Sequence, residues 1–319
     1  MMTNDQRIIS NLERKYMESL TNLFFSDDFR GELHRLEYVV NNDYNFIRDN
    51  YEKKNKVDIA IERLIRYFIY KKSNINIVGI YPSPISCDMA IETDDCILNV
   101  DSKTIDSVGN ASDINYFHFE SNQSSFNFVS YGKQRGFDGI PVITNLPEID
   151  SYTGKPILTF FLKIIYSDNG RKFSFYNEEN NISLTCLPNG ILSNLFPDNM
   201  IFNFKTYSYY PDVKFICTKN LADDLGLKFS NKDSFIDELK VARFDIDNFI
   251  GWSEYRVGDI NGRPVLIIEN RGFVPVKRLK GWYLEELRAG HTARILYENL
   301  TYRIDGNGDS WYGHISGQI

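Results

Sequence analysis

Apolar positions in the first seventy residues recur at helical spacing. Ile8, Ile9, Leu12, Tyr16, Leu20 and Leu23 fall near a 3.6-residue period, which predicts a helix over residues 4–25. Residues 31–40 predict a second helix, and the polar stretch 42–55 predicts part helix and part connection. Residues 57–70 give the clearest amphipathic pattern, with Val57, Ile61, Leu64, Ile65 and Phe68 on one side. After Ser73 the pattern changes to that of strands. Residues 75–81, 88–92, 96–105, 116–120, 158–166, 172–176 and 182–187 are predicted strands with turn residues between them, and a turn at 93–96 joins the second to the third. The last third is mixed: a helix over 234–239, strands over 265–269 and 273–276, a helix over 283–287, a strand near 293–302 and a Gly-rich turn at 306–308. Helices first, then strands, then both together predict an α/β (α+β) fold. No repeat or low-complexity linker divides it. The expected organisation is a helical region over 1–55, a core over 56–245 and a C-terminal α+β region over 246–319 that serves recognition or dimerisation.

Composition narrows the class. At 319 residues, 42% hydrophobic and 14% aromatic, the chain can bury a real core, which excludes global disorder. The longest apolar run, residues 157–166, is broken by Lys163 and is too short to span a bilayer. The first residues lack the apolar centre of a signal peptide. Cys87, Cys96, Cys186 and Cys217 form no CxxC pair, so reduced thiols and a cytoplasmic location are expected. The net charge of −7 argues against a uniformly basic surface but leaves room for a local basic cleft. His34, His118, His291 and His314 have no metal-ligand spacing, and neither a Walker loop nor a GxGxxG is present, so no nucleotide cofactor is expected.

One strand does not fit a purely apolar core. In ILNVDSKTI, residues 97–105, Asp101 and Lys103 lie two apart and so share a sheet face. If the hairpin turns at Asp94-Asp95, residues whose numbers sum to 189 lie opposite one another, and Asp88 faces Asp101. Their β-carbons would then be about 4.5–5.5 Å apart. Facing carboxylates repel, and burial makes this worse. A divalent cation between them removes the conflict. Hard carboxylate oxygens suit Mg²⁺, which takes one or two carboxylates and fills its shell with waters and phosphate oxygens. The structural alternative is a solvated edge pair beside an ordinary Asp-Asp turn.

The segment SPISCDMAIETDDCILNVDSKTI resembles the core of the PD-(D/E)XK nucleases, in particular type II restriction endonucleases of the EcoRV/BglI-like branch. There a loop-borne Asp precedes a strand that ends in (Asp/Glu)-x-Lys. YFHFESNQSSF (116–126), KPILTFFLKIIY (155–166) and ISLTCLPNGIL (182–192) resemble later segments of the same branch. The resemblance covers roughly residues 55–195, and Cys87 replaces the motif's Pro. It implies a nuclease core over 56–245 with a mixed sheet flanked by helices. It also implies Mg²⁺ held by Asp88, Asp101 and the Ser102 backbone carbonyl, with Lys103 orienting the attacking water. Glu62 is the candidate for an additional acid from the preceding helix. The implied activity is sequence-specific hydrolysis of double-stranded DNA in a restriction-modification system, giving 5′-phosphate and 3′-hydroxyl ends, by a homodimer with two active sites.

For DNA contact the resemblance points to a Gln-containing loop, here Asn122, Gln123, Ser124 and Ser125, against the minor groove. Lys133, Gln134 and Arg135, Arg171 and Lys172, and Lys277, Arg278 and Lys280 are the basic clusters suited to the major groove or to phosphates. Two alternatives stay open at this point: a structure-specific repair or recombination nuclease, and a non-catalytic DNA-binding protein with a nuclease-like core.

Overall fold

In the computed structural model, the described residues are 4–50, 57–80, 87–108, 114, 117–120, 123–125, 146–175, 180–190, a set of strands between 206 and 304, 307 and 309–319. The chain divides into two compact units. The first comprises Met1–Phe117, Glu148–Asn189 and Tyr302–Ile319, and the second His118–Pro147 and Gly190–Thr301.

The first unit opens with four helices, α1 (Asn4–Phe24), α2 (Asp27–Asn42), α3 (Tyr44–Asn50) and α4 (Asp58–Lys72). Ser26 caps α2 by accepting a hydrogen bond from the Phe29 N–H, and Asp27 and Asp28 complement the positive end of the helix dipole. Strands β1 (Ile77–Ile80), β2 (Met89–Thr93) and β3 (Ile97–Asp106) follow, then β4 (Phe117–Glu120), β5 (Ile157–Asp168), β6 (Phe173–Phe175) and β7 (Ile182–Leu187). The chain's last strands are β15 (Tyr302–Ile304), β16 (Ser310–Tyr312) and β17 (His314–Gly317). The main sheet runs β1-β2-β3-β5-β7-β17, with β6 paired to β5. Only β3 and β5 are parallel; every other pair in it is antiparallel. A parallel pair needs a long crossover, which accounts for the fifty residues between these two strands.

Strand alternation gives this sheet two different faces. Leu98 and Val100, Leu158, Phe160, Leu162 and Ile164, and Leu184 and Cys186 join the apolar core formed with α1, α2 and α4. The intervening positions Asn99, Asp101, Thr159, Lys163, Ser183 and Thr185 are polar, and all are buried. A sheet covered on both faces reads as continuous apolar sequence, so the polar positions inside these runs mark the second face as something other than core.

The second unit holds a sheet ordered β10-β11-β14-β9-β8-β4, built from β8 (Thr206–Tyr210), β9 (Lys214–Thr218), β10 (Glu254–Ile260), β11 (Arg263–Glu269) and β14 (Arg294–Leu296) with β4. A two-stranded ribbon pairs β12 (Lys277–Leu279) with β13 (Trp282–Leu284). That ribbon corrects the helix expected over 283–287 at Tyr283 and Leu284, where pairing of Trp282 and Tyr283 with Leu279 and Arg278 overrides the local helical pattern; residues 285–287 lie outside the described residues. The helix expected over 234–239 and the strand over 273–276 lie outside the described residues. Among the described residues no helix is long and apolar enough to cross a membrane.

Candidate active site

The β2–β3 hairpin has the register read from the sequence: Met89 pairs with Val100, Ala90 with Asn99, Ile91 with Leu98 and Glu92 with Ile97. The turn is held by the Thr93 hydroxyl, which donates to the Cys96 carbonyl (2.9 Å) and accepts from the Cys96 N–H (3.1 Å). Lys15 and Tyr16 of α1 both donate to the turn's Asp95. One residue beyond the last pair, Asp88 stands opposite Asp101. The Thr93 N–H donates to the Cys96 carbonyl. Counting in twos from that pair, Met89–Val100 is a hydrogen-bonded pair and Asp88–Asp101 is of the closer, non-hydrogen-bonded kind.

Asp88 is held through both its side chain and its backbone. Its Oδ2 accepts from the Ser102 N–H (2.7 Å) and from the Ser102 hydroxyl (2.5 Å). Its backbone carbonyl accepts from Arg66 Nη2 of α4 (2.6 Å). Among the described residues no strand pairs with this edge of β3 past Met89, and the Asp88 carboxylate takes the N–H that a strand carbonyl would otherwise accept. Because the N–H and C=O of one strand residue point the same way, the Ser102 carbonyl is directed to this same edge, beside Asp88.

Asp101 is almost fully buried. Burial pushes its carboxyl up to about 6; Lys103 opposes that rise and the charge of Asp88 adds to it, while the Asp88 backbone N–H, donating to the carboxylate, lowers it. Lys103 Nζ lies 2.5 Å from Asp101 Oδ2 and 5.4 Å from the centre of the Phe161 ring. Cys87 Sγ donates to the Met89 carbonyl (3.3 Å) and to Asn99 Oδ1 (3.5 Å). Burial and the charges of Asp101 and Asp88 push that thiol up to about 12, so it is a neutral wall of the site.

Glu62 lies on α4, partly exposed, with Arg66 4.0 Å away. Burial and then the charge of Asp88 raise its carboxyl above the usual range, which places it within electrostatic reach of Asp88. Sequence reasoning missed three neighbours. Arg66 pins Asp88. Asp58, one turn before Glu62, accepts from the Thr104 hydroxyl and is raised by burial and by Asp88. Lys163 stands beside Lys103 across the parallel pair. The spacing of Asp58, Glu62 and Arg66 at four-residue intervals was a legible signal that they share a face of α4. Among the described residues no three His, Cys, Asp or Glu side chains converge as a metal cluster. A cation here would take two carboxylates and complete its shell with backbone, water and phosphate oxygens, a donor set that suits Mg²⁺.

The expected DNA-contact residues fare unevenly. Ser124 and Ser125 are buried, and the Ser125 hydroxyl accepts from the Gly190 N–H (3.0 Å). Both hydroxyls are enclosed in this structure, and that of Ser125 holds Gly190. Gln123 is partly exposed. Arg171 and Lys172 are exposed at the β5–β6 turn, where Asn169 Oδ1 accepts from their backbone N–H groups (3.0 and 2.9 Å). Lys277 and Arg278 lie on β12. Asn122, Lys133, Gln134, Arg135 and Lys280 lie outside the described residues.

Comparison with known proteins fits this geometry. The family model for the N-terminal domain of the type II restriction enzyme MwoI matches residues 7–170, about half of the chain and all of the site above. The chain belongs to this family of type II restriction endonucleases. No curated protein matches at a significant level. Among solved structures, restriction endonuclease BglI bound to its DNA recognition sequence aligns with TM-score 0.43 and 15% identity, over 60% of this chain and 76% of BglI. Tetrameric restriction endonuclease SfiI bound to cognate DNA aligns with TM-score 0.33 and 12% identity, over 61% of this chain and 70% of SfiI. As a restriction endonuclease, the chain is a site-specific deoxyribonuclease.

Proposed function

We propose that this restriction endonuclease hydrolyses double-stranded DNA with Mg²⁺ held by Asp88, Asp101 and the Ser102 carbonyl, leaving 5′-phosphate and 3′-hydroxyl ends. The observation that carries the reading is the β2–β3 register, which sets Asp88 opposite Asp101 with the Lys103 ammonium against the second acid. Two facing acids that repel each other, the buried one raised to about 6, are an arrangement that a bound cation relieves. When bound, Mg²⁺ would supply an acidified water and neutralise charge on the phosphate. Ser102 holds the Asp88 carboxylate in one orientation, and Arg66 holds its backbone. Lys103 moves from Asp101 to orient the attacking water and balance the negative charge that develops on the phosphate. Glu62 and Asp58 add negative potential on the α4 side of Asp88.

Cutting both strands calls for two such sites, so a homodimer on a symmetric or interrupted-symmetric sequence follows. Gln123, Ser124, Ser125, Arg171 and Lys172 are candidates for DNA contact, as are Asn122, Lys133, Gln134, Arg135, Lys277, Arg278 and Lys280. The test is incubation with phage DNA and Mg²⁺ followed by a gel. Discrete bands are expected, none with chelator, and none with Asp101→Ala or Lys103→Ala although both variants fold. A smear would instead favour a structure-specific nuclease, and intact DNA a binding protein.

A further inference from the structure

Lys163 is the only charged residue among positions 157–166, and it is buried. A buried ammonium is costly unless it is hydrogen-bonded or paired. Its position adds to that cost, because the parallel register puts it directly beside Lys103. A methionine would fill the same space without either cost. What Lys163 does contact leads back to the active site. Its Nζ donates to the Ile114 carbonyl (2.5 Å) and lies 4.6 Å from the centre of the Phe117 ring. The Phe117 ring packs 6.0 Å from that of Phe161. Phe161 pairs in register with Asp101, and its ring lies 5.4 Å from the Lys103 ammonium. The contacts form a closed path: Lys163, Phe117, Phe161, Lys103.

We infer that Lys163 is a positioning residue that fixes where the Lys103 ammonium sits. It clamps the end of the β3–β4 connection at Ile114 and Phe117, Phe117 holds the Phe161 ring, and that ring with Asp101 defines the place of Nζ. The inference rests on the assignment of Lys103 to the reaction. Ammonium–ring contacts are directional and strengthen when water is excluded, so loss of the Phe117 anchor frees the Phe161 ring to shift and the Lys103 ammonium with it.

The test is single-turnover cleavage and KM on a duplex carrying the mapped cut site. Lys163→Met removes the charge at nearly constant volume. A small misplacement of a catalytic group costs up to about a hundredfold in rate, so a fall of roughly 10- to 100-fold in rate with KM within about threefold is expected. An unchanged rate, or rate and KM changing together, overturns the inference. Phe161→Leu leaves Lys163 in place and removes the ring beside Lys103. The same loss is expected from it, and it decides the question if Lys163→Met does not fold. The double variant should lose no more than the worse single one, and additive losses would overturn the shared path. Lys103→Ala separates the two levels. An inactive Lys103→Ala with a fully active Lys163→Met sinks this inference alone, whereas a fully active Lys103→Ala sinks the active-site assignment and this inference with it.

Discussion

Ser102 looks like the least chemical residue in Asp-Ser-Lys, yet it fixes the geometry of the first acid. Its N–H and hydroxyl both bind Asp88 Oδ2, so the carboxylate is oriented before any ligand arrives. Ser102→Ala removes one of these bonds and keeps the other. Partners that orient a metal ligand are typically worth about 10- to 100-fold in metal affinity. Ser102→Ala should therefore raise the Mg²⁺ concentration for half-maximal cleavage by about tenfold, with the rate recovered at saturating Mg²⁺. A magnesium titration of the initial rate checks this, and a rate that stays low at saturation would assign Ser102 a different part. At this scale the register that brings the candidate residues together was legible. The Asp-x-Lys parity and the 189 register followed from the period of a strand and the position of a turn, and both are found in the pairing. Arg66 was legible as sharing a face of α4 with Glu62, but its grip on Asp88 comes from a helix docking on the sheet, and the place of Lys163 comes from a parallel crossover, neither of which a local pattern encodes. The buried state of Ser124 and Ser125 was hidden for the same reason, since a polar tetrapeptide reads as a surface loop until Gly190 is brought against it.

Among the elements, the β2–β3 hairpin positions two of the three site residues, and α1 secures its turn. Asp95 is the link. Burial raises its carboxyl, but hydrogen bonds from Lys15 and Tyr16 outweigh this and leave it below the usual range. A group whose folded pKa is depressed contributes stability above its unfolded pKa and loses it as pH falls through the folded value. Asp95→Asn should therefore lower the melting temperature at neutral pH and have a shrinking effect as the pH drops below the ordinary carboxylate range. Thermal melts of both proteins from neutral to acidic pH test this. A difference that stays constant with pH would mean that the side chain acts by shape and not by charge. The elements of the first unit were largely legible because they are long and strongly periodic: α1, α4, β3, β5 and β7 lie within a few residues of their expected positions. In the second unit β12, β13 and β14 have only three residues each, and β14 depends on partners far along the chain. A helix is expected at Tyr283 and Leu284 of β13 because three residues are too few to establish a strand period.

At the scale of the molecule, an acidic chain must meet a polyanion. A net charge of −7 opposes non-specific attraction to DNA, so attraction falls to local basic surface and, on the proposed reading, to the neutralisation of Asp88 and Asp101 by a cation. The whole account depends on those two carboxylates sharing one cation. The most direct measurement is an anomalous difference map from crystals grown with a cognate duplex and Mn²⁺. A peak within coordinating distance of both Asp88 and Asp101, beside the Ser102 carbonyl and next to a phosphate, is the predicted result. A duplex seated on the protein with the Mn²⁺ peak elsewhere, or with Asp88 and Asp101 turned to separate partners, would contradict it.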